Sequence, residues 1–195
     1  MSFSVLVIPE DPTKDQYILA PLFTALMAAV GKQNARVRVM TDPATQGVDQ
    51  VLDAEFLRAV VRRYPMVDMF VLALDRDGKS GREASIRHHA EGARAHLPSG
   101  SAFLGTCAHQ EVEVWCLAGV QGLPREWRWA DVRAEPHAKE RYYEPYAAQR
   151  GLLDAPGDGR EQLGREAAGR YRSIINRCPE LSDLEAEVRL AIAGR

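Results

Sequence analysis

An uninterrupted apolar run at residues 69–74, Met-Phe-Val-Leu-Ala-Leu, constrains the fold of this chain more than any other feature. A strand that is apolar on both faces is typical of the interior of a parallel sheet, because helices cover both faces of such a sheet. Residues 5–8, Val-Leu-Val-Ile, have the same character near the start of the chain. Both runs therefore predict buried strands of a parallel sheet.

Predicted strands and helices alternate through the first part of the chain. Strands are predicted at 3–9, 37–40, 67–74 and 102–104, and helices at 14–31, 50–64 and 82–96. Thr13 or Asp15 is expected to cap the first helix. The alternation favours an α/β fold in which a parallel sheet of about four strands is flanked by helices and joined by right-handed crossovers.

The pattern changes after residue 120. Residues 121–160 contain glycine, proline and aromatic residues with little periodicity, whereas 160–178 and 181–193 predict two helices. We therefore expect an α/β domain over residues 1–120. Residues 121–195 are expected to form an aromatic and basic segment with a helical C-terminal extension, packed on the same domain.

Charge and cysteine content exclude several classes of protein. The formal net charge of the 195 residues is −2, so any contact with nucleic acid would need a local basic patch. Cys107, Cys116 and Cys178 lack CxxC spacing, which argues against a zinc knuckle or a disulfide framework and fits a reducing cytosol. No leader pattern and no apolar stretch of membrane-spanning length is present, so we expect a cytoplasmic protein without membrane contact.

Acidic residues follow two of the predicted strands. Glu10 follows the first strand, and Asp75 and Asp77 follow the third. The carboxyl ends of parallel strands are where such folds place ligand sites. Three carboxylates there would form an oxygen-rich site for a hard divalent cation such as Mg²⁺ or Mn²⁺, and Gly78 permits the necessary turn. The alternative is a solvated Asp pair that caps a turn.

A third acidic cluster, Glu111-Val-Glu113-Val-Trp115, has two interpretations. In a strand, both glutamates would share one face. In a helix, Glu111 would pair with Trp115 and Glu113 would point elsewhere. Glutamates between valines and a tryptophan are poor candidates for a plain solvated face, so we expect them to have a functional role.

Other known motifs fit these residues less well. Residues 78–80 resemble the end of a P-loop, but Ala73 stands where that motif needs glycine, and the same loop departs from an EF-hand at two positions. The DxDG motif of haloacid-dehalogenase phosphatases lies on the first strand, which leaves that activity as a third alternative. His88-His89 are expected at the surface. Cys107 near His109 is expected to be a buried thiol.

Aromatic and basic residues are interleaved between residues 125 and 146. They are Arg125, Trp127, Arg128, Trp129, Arg133, Lys139, Arg141, Tyr142, Tyr143 and Tyr146. Such a combination is typical of a surface that stacks bases and contacts phosphates. The alternative is that the aromatic residues pack a small subdomain onto the sheet.

Glu10 together with the Asp75-x-Asp77 motif resembles the TOPRIM fold of topoisomerases, primases and OLD-family nucleases, which carry a glutamate after the first strand and Asp-x-Asp after the third. The chain departs from the usual first motif, because Asp11 stands where glycine is expected and residues 13–15 replace a Thr-acidic pair. Small bacterial TOPRIM-related proteins of unknown function share a Glu-x-Glu-x-Trp segment like residues 111–115 and end in two helices.

The resemblance implies Mg²⁺-dependent hydrolysis of phosphodiester bonds in nucleic acid. Asp75 and Asp77 would hold the ion, and Glu10 would share it or act as a general acid or base. Glu111 and Glu113 would supply a second metal position.

The resemblance also implies partners. Lys79, Arg82 and Lys139 would contact phosphate or nucleic acid. Small TOPRIM proteins often act with an ATPase subunit in anti-phage defence, so an ATPase partner is expected, as is a homo-oligomer. The alternative function is a non-catalytic TOPRIM-like scaffold that binds a partner protein or nucleic acid.

Overall fold

A parallel sheet of four strands, in the order β2-β1-β3-β4, forms the centre of the computed structural model, which describes residues 2–45 and 47–194. The strands are β1 (Ser4–Ile8), β2 (Arg36–Val39), β3 (Met69–Asp75) and β4 (Ala102–Ala108). The predicted α/β fold, with about four parallel strands flanked by helices and a helical C-terminal extension, is confirmed.

Helices connect and flank the strands. They are α1 (Gln16–Ala29), α2 (Val48–Val51), α3 (Ala54–Arg63), α4 (Arg82–Arg94), α5 (Val112–Gly119), α6 (Trp129–Ala134), α7 (Glu144–Gln149), α8 (Arg160–Ala168), α9 (Tyr171–Arg177) and α10 (Pro179–Ala193). A π-helical segment, Lys139–Tyr143, leads into α7. Within the described residues, no helix is long and apolar enough to cross a membrane.

The direction of the crossovers changes between β1 and β3. From β1 the chain passes through α1 to β2 on one side, and α3 and α4 then lead to β3 and β4 on the other side. β1 and β3 pair in parallel, with Ile8 opposite Leu72. The carboxyl ends of these two strands therefore meet at a topological switch point, which is where open α/β sheets bind ligands.

Successive side chains of the central strands enter two separate cores. Val5 and Val7 pack with α1 and the C-terminal helices on one face of the sheet. Leu6 and Ile8 pack with α3 and α4 on the other face. Both faces are covered by helices, which explains why β1 and β3 are apolar throughout.

Residues from both halves of the chain share the core on the α1 side of the sheet. α8 approaches α1 closely at Gly164, where an added Cβ would lie 2.3 Å from the carbonyl oxygen of Tyr17. Gly119 makes a similar approach between α5 and α8, with an added Cβ 2.6 Å from Cα of Ala167. These contacts hold the middle of α8 against the start of α1 and the end of α8 against α5.

Three predicted elements were wrong in extent. The helix predicted at 50–64 is divided into α2 and α3 at Asp53, whose extended backbone lets its side chain accept a hydrogen bond from Phe56 N–H at 2.8 Å. The helix predicted at 160–178 is divided at Arg170, so the chain ends in three helices. The strand predicted at 102–104 continues to Ala108, which is aligned with Asp75 of β3.

The strand β4 forms one edge of the sheet. Arg94, the last residue of α4, reaches this edge, and its Nε donates a hydrogen bond of 2.9 Å to the main-chain carbonyl of Phe103. One carbonyl of the edge strand is therefore occupied by a charged side chain.

Candidate functional site

An acidic cavity of about 230 Å³ opens at the carboxyl ends of β1 and β3. Its lining contains seven acidic and three basic side chains, which are Glu10, Asp11, Asp15, Asp75, Asp77, Glu111, Glu113, Lys14, Lys139 and Arg160. The structure thus brings together all five acidic residues that the sequence suggested as ligands, and it adds Asp11 and Asp15. A larger concavity, of about 930 Å³, lies beside β4 between α4 and α10, where apolar side chains mix with charges of both signs.

The loop after β3 positions Asp75 and Asp77. Asp75 is the last residue of the strand, and the chain then turns through positive φ angles at Asp77 (52°) and Gly78 (66°). Gln110 holds this turn: its carbonyl accepts from Asp77 N–H at 3.2 Å, and its Oε1 accepts from Gly78 N–H at 2.9 Å. The predicted turn at Gly78 is therefore present, and Gln110 is a positioning residue that the sequence did not indicate.

The segment that carries Glu111 and Glu113 begins a helix, so its interpretation as a strand was wrong. Glu111 precedes α5, and its Oε2 accepts a 2.6 Å hydrogen bond from Lys139 N–H. The expected pairing of Glu111 with Trp115 was also wrong, because the indole Nε1 donates to Glu180 at 2.9 Å instead. Both glutamates nevertheless line the same cavity.

Asp75 is linked directly to the start of α5. Its Oδ1 accepts a hydrogen bond of 2.9 Å from Val112 N–H, one of the main-chain groups that have no partner within the helix. A carboxylate at a helix N-terminus also interacts favourably with the helix dipole. This contact ties the end of β3 to the segment that carries the two glutamates.

Glu113 is buried and paired with Arg160, the first residue of α8. The guanidinium Nε donates to Oε1 of Glu113 at 3.0 Å, and Nη2 donates to the same oxygen. Arg160 is 1% exposed, and its Nη1 also lies 3.1 Å from Asp158 Oδ2. Arg160 is a site residue that sequence reasoning missed, since nothing near it in the sequence shows that it is buried.

Asp15 and Asp75 have raised pKa values, because both are buried and lie near other carboxylates. Burial, followed by the charge of Glu113, raises the pKa of Asp15 to about 7. Burial and the charges of Glu113, Asp15 and Asp77 hold the pKa of Asp75 well above its usual value. These carboxylates are close enough for their charges to repel strongly.

Two further carboxyl groups in the cavity also have raised pKa values. Burial raises the pKa of Glu111 to about 7, although the hydrogen bond from Lys139 N–H opposes this change. The pKa of Glu10 is raised by burial and by Asp77, against the lowering effect of Arg82.

The side-chain cap that was predicted for Asp15 at the start of α1 is not formed. Its Oδ2 accepts a hydrogen bond from Asp11 N–H at 3.3 Å instead.

The three cations that line the cavity leave most of its negative charge unpaired. Lys14 pairs with Asp158 at 2.7 Å, and Lys139 pairs with Glu140 at 3.0 Å, outside the cavity lining. Among the described residues, Arg160 is the one cation of the lining that pairs with an acid of the cavity. Within residues 2–45 and 47–194, no salt bridge is formed by Glu10, Asp11, Asp15, Asp75, Asp77 or Glu111.

The predicted phosphate-binding residues are placed differently from one another. Lys79 is exposed in the loop after Asp77, whereas Arg82 is buried at the first position of α4 and acts electrostatically on Glu10. Lys139 lines the cavity. Lys79 and Lys139 are accessible to a ligand. Arg82 is buried, and its charge lowers the pKa of Glu10.

The composition of the acidic cavity fits a divalent cation, although its side chains do not yet converge. The donors are hard oxygens, and their unpaired charge would be neutralised by a bound ion. Among the described residues, however, no group of three Asp, Glu, His or Cys side chains is arranged to hold a metal ion. Carboxylates such as Asp75 and Asp77 would therefore have to rotate toward a common point on binding.

Cys107 is a buried thiol, as the sequence predicted. Burial raises the pKa of its thiol to about 12, so the reactive thiolate is scarce. His109 contacts Arg76, with Nδ1 3.1 Å from Nη1, and its pKa is lowered by burial.

The aromatic and basic set from residues 125–146 separates into two groups. Tyr142, Tyr143 and Tyr146 are buried in the core, as the packing interpretation predicted. Trp127 and Trp129 are only half-buried and lie beside arginines at the surface. The sequence pattern thus combined residues that have different structural roles.

No protein-family model, no curated protein and no solved structure is detectably similar to this chain.

Proposed function

We propose that the acidic cavity binds a divalent cation, Mg²⁺ or Mn²⁺, and that the protein hydrolyses phosphodiester bonds of nucleic acid. One observation carries this proposal: seven carboxylates gather at the switch point of the sheet, and a single cation of the cavity pairs with one of them. Two unit charges about 4 Å apart repel by roughly 4 kcal/mol at an effective dielectric of 20. A bound cation would turn this repulsion into attraction.

Different residues of the site would bind the ion, transfer a proton and contact the phosphate. Asp75, Asp77 and Glu10 would hold the ion, and Glu111 would support a second position. When bound, the ion would stabilise negative charge on the scissile phosphate and lower the pKa of a coordinated water. Glu10, whose pKa is raised, would hold or release a proton near the reacting phosphate. Lys79, which is exposed in the loop after Asp77, would steady a neighbouring phosphate.

The catalytic proposal is tested with Asp75→Asn/Asp77→Asn, which keeps the shape of both side chains. Labelled single-stranded and duplex DNA and RNA are incubated with the protein in Mg²⁺ or Mn²⁺. The variant should lose at least about 100-fold in cleavage rate, since metal ions contribute several kcal/mol to such reactions. Asp183→Asn, at an exposed position of α10, is the matched control and should cleave normally. If Asp75→Asn/Asp77→Asn cleaves as fast as the unmodified protein, the proposed site is rejected.

A second function, a non-catalytic TOPRIM-like scaffold that binds a partner protein or nucleic acid, is favoured by two observations. The Arg160 guanidinium already fills one wall of the cavity, and no three ligands converge among the residues described. Calorimetric titration with Mn²⁺ distinguishes the two functions, because a scaffold would give no heat of binding that depends on Asp75. The proposals of an ATPase subunit, a role in anti-phage defence and a homo-oligomer rest on the TOPRIM resemblance alone.

A further inference from the structure

A second concavity, of about 570 Å³, lies just beyond the end of α5. Its polar and aromatic lining includes Trp127, Trp129, Arg125, Arg170 and Arg177, and we call it the Trp-Arg pocket. Part of it belongs to the loop after α5, and part belongs to the two ends of α9. The acidic cavity and the Trp-Arg pocket have no lining residue in common.

Both indole rings of the Trp-Arg pocket are held in fixed positions. Trp127 packs edge-to-face against the buried ring of Tyr142, with ring centroids 5.0 Å apart. The indole Nε1 of Trp129 donates a 3.2 Å hydrogen bond to the carbonyl of Arg177. The guanidinium of Arg177 in turn lies over the Trp129 ring, 5.3 Å from its centroid. The rings are therefore pre-organised and still half-exposed.

The charge of the Trp-Arg pocket is opposite to that of the acidic cavity. Arg125, Arg170 and Arg177 are exposed, and within the part of the chain that the structure describes they form no salt bridge. No described Asp or Glu lines the pocket. Glu166 lies near Arg170 but is paired with Arg150 at 3.0 Å. In a chain of net charge −2, this is a local concentration of positive charge.

We propose that the Trp-Arg pocket binds a single-stranded segment of nucleic acid, with bases stacked on the indoles and phosphates held by the arginines. Aromatic rings interleaved with basic side chains are what sequence-tolerant binding of single strands requires. Arginine suits phosphate because its planar fork makes bidentate contacts. A duplex keeps its bases paired and stacked internally, so it cannot use the indole faces. The inference rests on the proposed function only for the choice of nucleic acid as the ligand.

The helix α5 connects the two sites. Glu111 and Glu113 stand at its start, and Val120 of the Trp-Arg pocket follows its end. Every residue of α5 is buried, so the acidic cavity and the Trp-Arg pocket lie at opposite ends of a core helix.

The test is direct binding in EDTA, where cleavage does not occur. Fluorescence anisotropy compares a labelled oligothymidine, a duplex of the same length and thymidine monophosphate. The single strand should bind at least about tenfold more tightly than either of the others. Equal affinity for the duplex, or for the mononucleotide, would overturn the inference.

Charge variants that leave the fold intact locate the site. Arg125→Gln/Arg170→Gln changes two exposed side chains and should weaken binding of the single strand about tenfold or more. The slope of log affinity against log salt should fall by about 1.4, since each phosphate contact contributes about 0.7. Arg38→Gln/Arg62→Gln removes the same charge from exposed positions on β2 and α3 and should change neither quantity by as much. Identical effects of the two pairs would overturn the assignment.

Tryptophan fluorescence supplies a second readout. Stacking of bases on Trp127 and Trp129 should quench part of the emission, whereas Trp115 is fully buried and should be unaffected. Trp127→Leu should remove part of the quenching and weaken binding about tenfold. Absence of quenching on strand binding would overturn the stacking assignment.

The outcomes for the two sites are separable. If Asp75→Asn/Asp77→Asn abolishes cleavage while binding in EDTA persists, both proposals stand. If the protein cleaves nucleic acid but the arginine pair has no effect on binding, only the Trp-Arg inference fails. If the strand binds as described but no variant of the acidic cavity affects cleavage, only the proposed function fails.

Discussion

Glu113 and Arg160 form a buried ion pair in the wall of the acidic cavity, with Arg160 Nε 3.0 Å from Glu113 Oε1. Their side chains are only 5% and 2% exposed. Glu113 belongs to the first turn of α5, and Arg160 is the first residue of α8. The pair therefore joins the starts of two helices in the wall of the cavity.

Arg160→Met should destabilise the protein by about 3–5 kcal/mol, because it leaves the Glu113 carboxylate buried without a partner. Urea unfolding measures this loss. Glu113→Gln/Arg160→Met should recover part of the stability, since the second substitution removes the unpaired charge. If the single variant loses less than the double variant, the ion pair does not have this role.

Arg165→Met is the matched control on the same helix. Arg165 pairs with Glu161, but its side chain is 73% exposed. An exposed pair of this kind contributes at most about 1 kcal/mol. The contrast between the two positions separates burial of the pair from the mere removal of an arginine.

In EDTA the protein should lose stability as the pH rises from about 4 to about 7. The folded state holds protons on Asp15 and Glu111, whose pKa values are raised to about 7, whereas the unfolded chain releases them near 4. The stability that comes from these protonated carboxyl groups is complete below pH 4 and lost by about pH 7. The lowered pKa values of His89 and His109 act in the opposite direction, so the comparison needs a variant.

Asp15→Asn isolates one carboxyl group in this pH dependence. Its melting temperature should exceed that of the unmodified protein by several degrees at about pH 8 and by little at about pH 4. The asparagine can still accept the hydrogen bond from Asp11 N–H. A gain that does not depend on pH would show that repulsion at Asp15 is not its cause. Asp183→Asn, at an exposed site, should leave the curve unchanged.

Mn²⁺ should raise the melting temperature in a manner that depends on Asp75. At a Mn²⁺ concentration of about 100 times the dissociation constant, linkage gives roughly 2.7 kcal/mol of stabilisation, or about 5–10 °C for a chain of this length. Asp75→Asn should respond little to Mn²⁺, because it replaces one of the carboxylates that would hold the ion. An undiminished response in this variant would contradict the assignment of Asp75 as a ligand.

Two glycine-to-alanine substitutions should have opposite effects. Gly164→Ala would place a Cβ 2.3 Å from the carbonyl oxygen of Tyr17, so α8 must move away from α1 and stability should fall by more than about 1 kcal/mol. At Gly92, in α4, no described atom lies within 4 Å of the added Cβ. Gly92→Ala should therefore stabilise the protein by about 0.4–1 kcal/mol. Thermal or urea unfolding of both variants measures the contrast.

Local patterns in the sequence were sufficient to predict the sheet and the first three carboxylates. Glu10, Asp75 and Asp77 could be predicted because each follows an apolar strand, and the ends of parallel strands meet at one edge. Asp15 was predicted as a helix cap and as part of the segment that replaces a Thr-acidic pair, but not as a ligand of the site. Its participation depends on the distance to Glu113, which no local pattern encodes.

Several features of the site depend on contacts between residues that are distant in the sequence, and local patterns could not predict them. Arg160 is separated from Glu113 by 47 residues, and an arginine after Gly157-Asp158-Gly159 has the local appearance of an exposed turn residue. Residues 111–115 were compatible with a strand or a helix; in the structure Gln110 adopts a φ of 80° after β4, and helix α5 begins at Val112. Aromatic spacing alone could not separate the buried Tyr143 from the half-exposed Trp127.

The guanidinium of Arg94 on the Phe103 carbonyl has a consequence for how this molecule behaves at high concentration. A strand from another copy that tried to extend the sheet at β4 would find that acceptor taken and a fixed positive charge in its path. Pairing of two copies through their β4 edges is thereby disfavoured at this position, so the last turn of α4 shields the edge as well as packing against it.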